Sequence, residues 1–197
     1  MPQFWGKYRG VVVDNVDPLE QGRLIVTVPA VLGGVMTAWA MPCVPYAGSG
    51  VGFCMPPPIG AALWVEFEGG DPDYPIWTGC FWRTGERPLT ASPPTMRMIQ
   101  TSSGKLAFND LDGEGGFTLS VAAPAVAIPV TVTANSSGLK IAVAEISIAI
   151  EQMGVTITAS PARTAILSSG VTVAHGAATI SLAAPMVSIN EGALAVE

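Results

Sequence analysis

The sequence predicts an all-β protein with an N-terminal barrel and a C-terminal segment that folds together with other copies of the chain. Short runs that alternate apolar with polar residues recur along the whole chain, and a period of two residues is typical of strands. Every Phe, Trp and Tyr lies before position 118, so the last 80 residues lack the bulky side chains that fill the space between two sheets. No stretch longer than about ten residues shows helical periodicity.

The composition excludes several classes of protein. A hydrophobic fraction of 49% with 12% charged residues is that of a folded chain rather than a disordered one. The net charge of −6 is unfavourable for binding nucleic acid or anionic lipid. Two uncharged runs, 117–139 and 164–190, are long enough for a membrane span but are interrupted by Pro and Gly, so we expect no transmembrane helix. The segment Met1–Arg9 lacks the apolar core of a signal peptide.

The three cysteines, Cys43, Cys54 and Cys80, are odd in number and show no CxxC spacing. Neither a disulfide framework nor a zinc site is supported by this pattern. We therefore expect buried free thiols in a protein assembled in a reducing cytoplasm.

Residues 1–88 are predicted to form a small closed β-structure. Five short strands are separated by loops that are dense in Gly and Pro, and this count fits the five-stranded OB type of barrel. We expect a barrel core filled by the aromatic side chains of Trp39, Trp64, Phe67, Trp77 and Phe81. The predicted strands are Tyr8–Val13, Arg23–Val28, Thr37–Val44, Ala61–Phe67 and Ile76–Trp82.

Beyond a charge- and proline-rich boundary, residues 89–118 are interpreted as a neck with two or three short strands, and residues 119–197 as the C-terminal shaft. The tripeptide Ser-Ser-Gly recurs at 102–104, 136–138 and 168–170. Repeated turn chemistry between short strands favours a β-solenoid or β-prism. Chance recurrence in a segment rich in Ser, Ala and Gly is the alternative.

The composition of residues 119–197 also predicts threefold assembly. A two-sided sandwich made by one chain would have a thin core and long unpaired edges. Three copies wound around one axis would close those edges, and Val, Ile and Leu would fill the narrow centre. We therefore expect an intertwined, homotrimeric, triple-stranded β-helix with a smooth and weakly charged exterior.

Two segments of the first half resemble the baseplate assembly protein V and spike family, the cell-puncturing proteins of contractile phage tails, which are related to type VI secretion spikes. The first segment is Tyr8–Pro29, with its Asn15-Val-Asp-Pro-Leu-Glu-Gln-Gly-Arg23 loop. The second is Pro56–Gly79, a predicted strand pair around an acidic Gly-Asp-Pro turn. The resemblance covers residues 8–82; past Arg97 only the architecture matches.

The resemblance implies a non-enzymatic homotrimer at the end of a tail tube, in a virion baseplate or an equivalent contractile particle. The OB domains would dock on a trimeric hub protein, and the β-helix would be driven through the target envelope when the sheath contracts. The parent particle, whether a phage, a bacteriocin or an extracellular injection machine, stays open. So does the alternative of an OB-fold that binds oligonucleotide or oligosaccharide, which residues 1–88 disfavour with five basic and eight acidic side chains.

Candidate sites for chemistry are few, and we expect no catalytic, cofactor-binding or metal site. Asp110, Asp112 and Glu114 lie on a Gly-rich turn rather than in a cleft. About 30 residues between barrel and shaft are too few for the lysozyme domain that some family members carry. Gly48–Gly52 misses the dinucleotide fingerprint because Phe53 occupies the position of its last glycine.

His175, the single histidine, shares parity with Val171 and Val173. If that face turned inward, three imidazoles could bind a metal or an anion on the threefold axis; a turn or surface histidine is the simpler interpretation. Family spikes with an iron-holding tip carry a His-x-His motif, whereas this chain has His175-Gly-Ala177. The missing motif suggests a separate PAAR-type tip protein.

The remaining predictions concern structural residues. We expect three glycines to serve turns of the barrel and five branched residues to be among those that fill the axis of the shaft. The glycines are Gly22, Gly60 and Gly70, and the branched residues are Val126, Ile128, Val130, Ile148 and Val155.

Overall fold

A computed structural model describes residues 2–88, 94–184, 186–190 and 193–196. The chain divides into two compact units, residues 1–87 and 88–197. The regular secondary structure of both is almost entirely strand, which confirms the all-β class. In the described ranges no helix is long and apolar enough to cross a membrane.

The N-terminal unit is a curled five-stranded sheet of OB type. The order of the sheet is β2 (Ile25–Thr27), β1 (Tyr8–Asp14), β6 (Ala62–Phe67), β7 (Pro75–Cys80) and β3 (Met41–Pro42). Strand β3 runs parallel to β7, and the other pairs are antiparallel. Antiparallel bridges from Leu24 to Ala40 and from Thr27 to Met36 join β2 to the segment that leads into β3, which closes the sheet on itself. The elements are β1 (Tyr8–Asp14), β2 (Ile25–Thr27), helix α1 (Pro29–Leu32), β3 (Met41–Pro42), the small hairpin β4 (Ala47–Gly48) and β5 (Val51–Gly52), β6 (Ala62–Phe67), a 3-10 turn (Glu68–Gly70) and β7 (Pro75–Cys80).

The core of this barrel is mainly aliphatic, which corrects part of the sequence prediction. Of the five predicted aromatic core residues, only Phe67 and Trp77 are buried. Trp39, Trp64 and Phe81 are half-buried. Trp64 alternates with the inward-facing Leu63 and Val65 along β6, so its side chain points to the outer face. The buried cluster consists of Val12, Leu24, Val26, Val28, Ala40, Leu63, Val65, Phe67 and Trp77.

Arginine side chains lie against the outer aromatic residues. The Arg9 guanidinium carbon is 5.7 Å from the ring centre of Trp64 and 5.6 Å from that of Phe81, and the Arg23 guanidinium carbon is 5.4 Å from the Trp39 ring. Such cation–π contacts stabilise aromatic rings that are only partly desolvated.

The C-terminal unit is one twelve-stranded antiparallel sheet in which every strand pairs with its neighbours in sequence. The strands assigned above to a neck, β8 to β10, are the first three members of this sheet. From β11 to β17 each strand has six residues and each connection has two. The strands are β8 (Met96–Gln100), β9 (Gly104–Asn109), β10 (Gly116–Val121), β11 (Val130–Asn135), β12 (Gly138–Val143), β13 (Ile146–Glu151), β14 (Gly154–Ala159), β15 (Ala162–Leu167), β16 (Gly170–His175), β17 (Ala178–Ala183), β18 (Met186–Ile189) and β19 (Leu194–Val196).

Glycines with a spacing of sixteen residues set this regular meander. Gly138, Gly154 and Gly170 each begin a strand with φ between 136° and 147°, a region that residues with a Cβ rarely adopt. A Cβ at Gly154 would overlap the carbonyl oxygen of Ile166 on the paired strand. Each Ser-Ser-Gly copy of the sequence ends on the first residue of a strand, so the repeat marks entry into a strand.

Because the strands follow one another as a meander, the backbone hydrogen bonds of the sheet are made within one chain. Among the described residues only β8 and β19 leave an outer edge unpaired. In a meander the edges of successive strands are paired within one chain. Three copies therefore need not wind around one another to close strand edges, as the sequence analysis expects. The surface that needs a partner is instead a face of the sheet.

Candidate assembly surface

One face of the C-terminal sheet, which we call the apolar face, is made almost entirely of branched and aromatic side chains. The ladder places Ile146, Ile148 and Ile150 of β13 on this face, next to the residues of β12 and β14 with the same parity. In the single chain these three isoleucines are 56%, 40% and 47% exposed. Large apolar residues are exposed on this face of every strand from β8 to β19 except β11. A run of that kind is not typical of a finished surface.

The opposite face, which we call the polar face, carries Thr, Ser, Ala and the charged residues. From β9 to β19, the four charged residues of the described strands are all on it: Lys105, Lys140, Glu151 and Arg163. The sheet is therefore amphipathic across its thickness, and its two faces have different environments.

The size of the apolar face is typical of an interface rather than of the surface of a monomer. Twelve strands spaced by about 4.8 Å and six residues long give a footprint of about 50 Å by 20 Å, or about 1,000 Å². The largest apolar patch of a typical monomer covers about 300–600 Å², whereas a stable interface buries about 800 Å² per partner. The face is larger than a monomer ordinarily exposes and large enough for stable association.

The ladder divides the apolar face into three rows that cross the strands at right angles. The central row contains Ile99, Leu106, Leu119, Val132, Ile141, Ile148, Ile157, Thr164, Val173, Ile180, Ile189 and Leu194. On one side lies the phenylalanine row, which begins with Arg97 of β8 and continues with Phe108, Phe117, Ala134, Leu139, Ile150, Val155, Ile166, Val171, Leu182 and Val187. On the other lies the histidine row: Gly104, Val121, Val130, Val143, Ile146, Ala159, Ala162, His175 and Ala178.

Of the five predicted axial residues, three lie on the apolar face and two do not. Ile148 is in the central row, while Val130 and Val155 are in the two outer rows. Val126 and Ile128 belong to the loop between β10 and β11, and the Ile128 side chain is 54% exposed. Prolines at 124 and 129 lack the N–H that a ladder requires, so the alternation there does not continue as a strand.

His175 lies at the end of β16, in the histidine row, opposite Ala162 on one side and Ala178 on the other. It shares its face with Val171 and Val173, as its parity indicates, and is exposed in the single chain. It is two residues away from the central row. The part of the chain that the structure describes holds no group of three His, Cys, Asp or Glu side chains able to bind a metal ion.

Two models of known protein families match the chain. Residues 8–82 match the type VI secretion system/phage-baseplate injector OB domain. Residues 96–195 match the phage baseplate V C-terminal trimerisation domain. The chain belongs to the phage baseplate V family. The second match covers the strands of the amphipathic sheet, so the apolar face lies within the family's trimerisation domain, and the chain is a trimer-forming, tail-associated structural component.

No curated protein sequence matches the chain. The two family matches coincide with the two compact units, since the first ends before Arg87 and the second begins after Pro88. The barrel and the sheet can therefore be described as separate modules of one baseplate protein.

The first family segment, Tyr8–Pro29, contains a loop held by one carboxylate. Asp17 accepts hydrogen bonds from the backbone N–H groups of Leu19, Gln21 and Arg23 and from the Arg23 guanidinium, with an Nη2–Oδ1 distance of 2.6 Å. The Asp17 side chain is only 4% exposed. The Arg23 guanidinium, followed by the backbone donors, holds the pKa of the Asp17 carboxyl far below its ordinary value of 3.8.

Glycines position the loops of both family segments, as predicted. Gly22, Gly60 and Gly70 have φ values of 74°, 86° and 78°, which L-residues with a side chain rarely adopt. The carbonyl of Gly22 accepts a hydrogen bond of 3.1 Å from the indole Nε1–H of Trp77. A Cβ at Gly70 would approach the Phe4 nitrogen to 3.2 Å, so the N-terminal segment can pass close to the acidic turn only because this residue is glycine.

The cysteine prediction is partly wrong. Cys43, Cys54 and Cys80 are free, but all three are exposed in the single chain rather than buried. Cys43 follows a short strand, Cys54 lies in a loop and Cys80 is the last residue of β7. Partial desolvation raises the pKa of the Cys80 thiol. This shift makes a reactive thiolate less available at neutral pH.

The acidic residues of the β9–β10 connection lie where the sequence predicts them. Asp110, Asp112 and Glu114 are exposed on a turn, and the Asp110 carboxylate forms an ion pair with Arg97 of β8. A glycosidase needs two carboxyl groups that face each other across a cleft. This turn offers a surface ion pair and solvated carboxylates.

Proposed function

We propose that the chain is the central spike of a contractile-tail baseplate, a rigid homotrimer that docks on the tail hub and is driven through the target envelope. The observation that carries this proposal is the apolar face, which runs without a charged side chain from β9 to β19 on the described strands. Three such faces turned toward one axis would bury each other and leave the three polar faces outside.

The dimensions of the strands support a triangular shaft. A strand of six residues is about 20 Å long, and an equilateral triangle with sides of about 20 Å has its centre about 6 Å from each side. An Ile or Leu side chain reaches most of that distance, so one residue from each copy would fill the centre. Trp would not fit, which accounts physically for the absence of aromatic residues after Phe117.

A shaft of this kind is suited to mechanical penetration. Its hydrogen bonds between neighbouring strands are already made within each chain, and its buried side chains would hold the three sheets together. The outer surface carries few charges, so it would pass through an envelope with few strong contacts. The work would come from contraction of the sheath, and the chain would contribute shape and stiffness without catalysis.

The OB unit would provide the attachment to the trimeric hub protein. Its family match names an injector OB domain, and aromatic side chains such as Trp5 and Tyr74 are 66% and 62% exposed beside the acidic turn. Exposed aromatic residues are enriched in protein interfaces. A separate tip protein of PAAR type would cover the free edge of β19.

Nucleic-acid binding by the OB unit is disfavoured by the state of its basic residues. Lys7 pairs with Glu66 at 2.7 Å, Arg23 with Asp17, and Arg83 with Glu86. Arg9 lies over two aromatic rings. Phosphate binding would require breaking these contacts, and binding of this kind depends on cations that are available to phosphates.

The test is complementation of a contractile particle that has lost this chain. Particles made with the full chain should carry it at the baseplate and kill target cells, whereas particles made with residues 1–95 alone should fail to kill. Normal killing by particles that contain only residues 1–95 would contradict the proposed function. A zymogram on peptidoglycan tests the absence of catalysis, where a cleared band would refute it.

A further inference from the structure

Between β9 and β19, two polar side chains interrupt the apolar face, and they lie at one place. Among the described strands from β9 to β19, Thr164 and His175 are the polar residues of that face, and they lie on the adjacent strands β15 and β16. Thr164 pairs with Val173, and His175 is two residues further along the same strand. The remaining eleven residues of the central row are Ile, Leu or Val.

The same place is a depression of about 470 Å³ in the sheet surface. Thr164 and His175 both line it, together with the small residues Ala162 and Ala178. In the histidine row, β14, β15 and β17 contribute alanine where β10 to β13 contribute Val or Ile. The polar groups are therefore accompanied by open space, which a hydrated site requires.

From β11 to β19, the rest of the apolar face distinguishes poorly between alternative alignments of three copies. Its hairpins repeat every sixteen residues, and the central-row residues Ile141, Ile148 and Ile157 are identical in type. Sliding one copy by one hairpin, about 10 Å along the shaft, would still set aliphatic residues against aliphatic residues. Repetitive strands with few distinguishing side chains are prone to slippage.

We propose that Thr164 and His175 set the axial alignment of the trimer by forming one hydrated polar layer when the three copies are level. This inference rests on the proposed shaft with its apolar faces turned inward. With the Cα of Thr164 about 6 Å from the axis, the three hydroxyls are too far apart to bond directly and are bridged by water. The three depressions provide the room for that water.

In a slipped trimer the polar groups lose these partners. Thr164 of one copy would then face Ile148 or Ile180 of the others, one hairpin away, and its hydroxyl would be buried without a hydrogen bond. A buried polar group without a partner is costly, whereas an aliphatic residue in its place is tolerated in either alignment. A single polar position that fixes alignment at a cost in stability is known from other repetitive assemblies.

The experiment measures alignment with spin labels on the full-length chain. Cys43, Cys54 and Cys80 are replaced by Ser, and Ser181 of the polar face is replaced by Cys and labelled. Labels at equal height form an equilateral triangle and give one narrow distance. A copy displaced by one hairpin adds longer distances, because its label moves by about 10 Å.

The test variant is T164V/H175L, and the matched control is T172V, a Thr of the adjacent strand on the polar face. We expect one distance for the labelled parent and for T172V, and additional longer distances for T164V/H175L. We also expect the double variant to denature at a higher temperature than T172V, because it no longer buries polar groups. A single distance in T164V/H175L, or a denaturation temperature below that of T172V, would overturn the proposal.

Sedimentation of the same labelled samples separates this inference from the proposed function. A parent that sediments as a monomer refutes the trimeric spike and the alignment role together. A trimeric double variant with unchanged distances refutes the alignment role alone.

Discussion

The substitution I148N should dissociate the trimer, while S147N at the neighbouring position should not. Ile148 lies in the central row of the apolar face, and Ser147 points to the polar face of the same strand. Both variants receive the same side chain in the same strand, so any difference between them reports which face is buried.

The magnitude follows from burial. Loss of a buried Ile side chain removes about 2–3 kcal/mol, and an amide left without a hydrogen bond costs about 1–3 kcal/mol more. For three copies the sum is about 10 kcal/mol or more, which corresponds to a change of about seven orders of magnitude in the dissociation constant at 1.4 kcal/mol for each factor of ten. At position 147 we expect a change within about 0.5 kcal/mol, as is usual for surface sites.

Sedimentation velocity at micromolar concentration, with and without prior heating in detergent, measures the effect. We expect S147N to remain a heat-resistant trimer and I148N to sediment as a monomer or aggregate. If I148N stayed trimeric and as heat-resistant as S147N, then Ile148 would be outside the interface. The assignment of the apolar face to the centre of the shaft would be refuted.

Three further predictions follow from the meander and the barrel. Deletion of residues 138–153, one whole hairpin, should leave a shortened trimer, whereas deletion of residues 138–145 reverses the direction of all later strands and should abolish the trimer. Electron microscopy and sedimentation distinguish these outcomes. Equal behaviour of both deletions would contradict the hairpin repeat. G154A should lower the denaturation temperature because the added Cβ has no room, while G34A, where the Cβ meets open space, should leave the denaturation temperature unchanged. Equal shifts of the two variants in calorimetry would exclude a special role of Gly154 at the start of its strand. The lowered pKa of Asp17 stabilises the barrel fully above the ordinary carboxyl pKa of 3.8, and this stabilisation is lost as the pH falls below that value. D17N should therefore be less stable at pH 7 and less sensitive to acid than the parent. Parallel acid denaturation curves for the two proteins would argue against a stabilising role of the Asp17 carboxylate.

Only some barrel strands could be predicted closely from local sequence: the strand expected over Thr37–Val44 is only Met41–Pro42. The side of the sheet on which each aromatic residue lies could not be predicted. Period-two alternation located β1 and β6 to within one residue, because Gly and Pro bound them closely. The size of the Trp64 side chain predicts a position in the core, but the ring is only half-buried. Its parity with Glu66, opposite to that of Leu63 and Val65, was the signal for the outer face.

The C-terminal sheet shows a different limit. The absence of aromatic residues after Phe117 correctly indicated assembly with other copies, yet the pairing pattern within one chain could not be deduced from it. The sixteen-residue spacing of Gly138, Gly154 and Gly170 was the signal for the hairpin repeat, and the recurrence of Ser-Ser-Gly alone does not reveal it. The loop that holds Val126 and Ile128 imitates a strand, and only the two prolines reveal that its backbone cannot complete a ladder.

The central claim, that three apolar faces bury one another, is tested most directly by the mass of the purified chain in solution. Multi-angle light scattering should give about 61 kDa, three times the chain mass of 20.3 kDa, and the value should persist on dilution. A stable species of one chain mass would contradict the account.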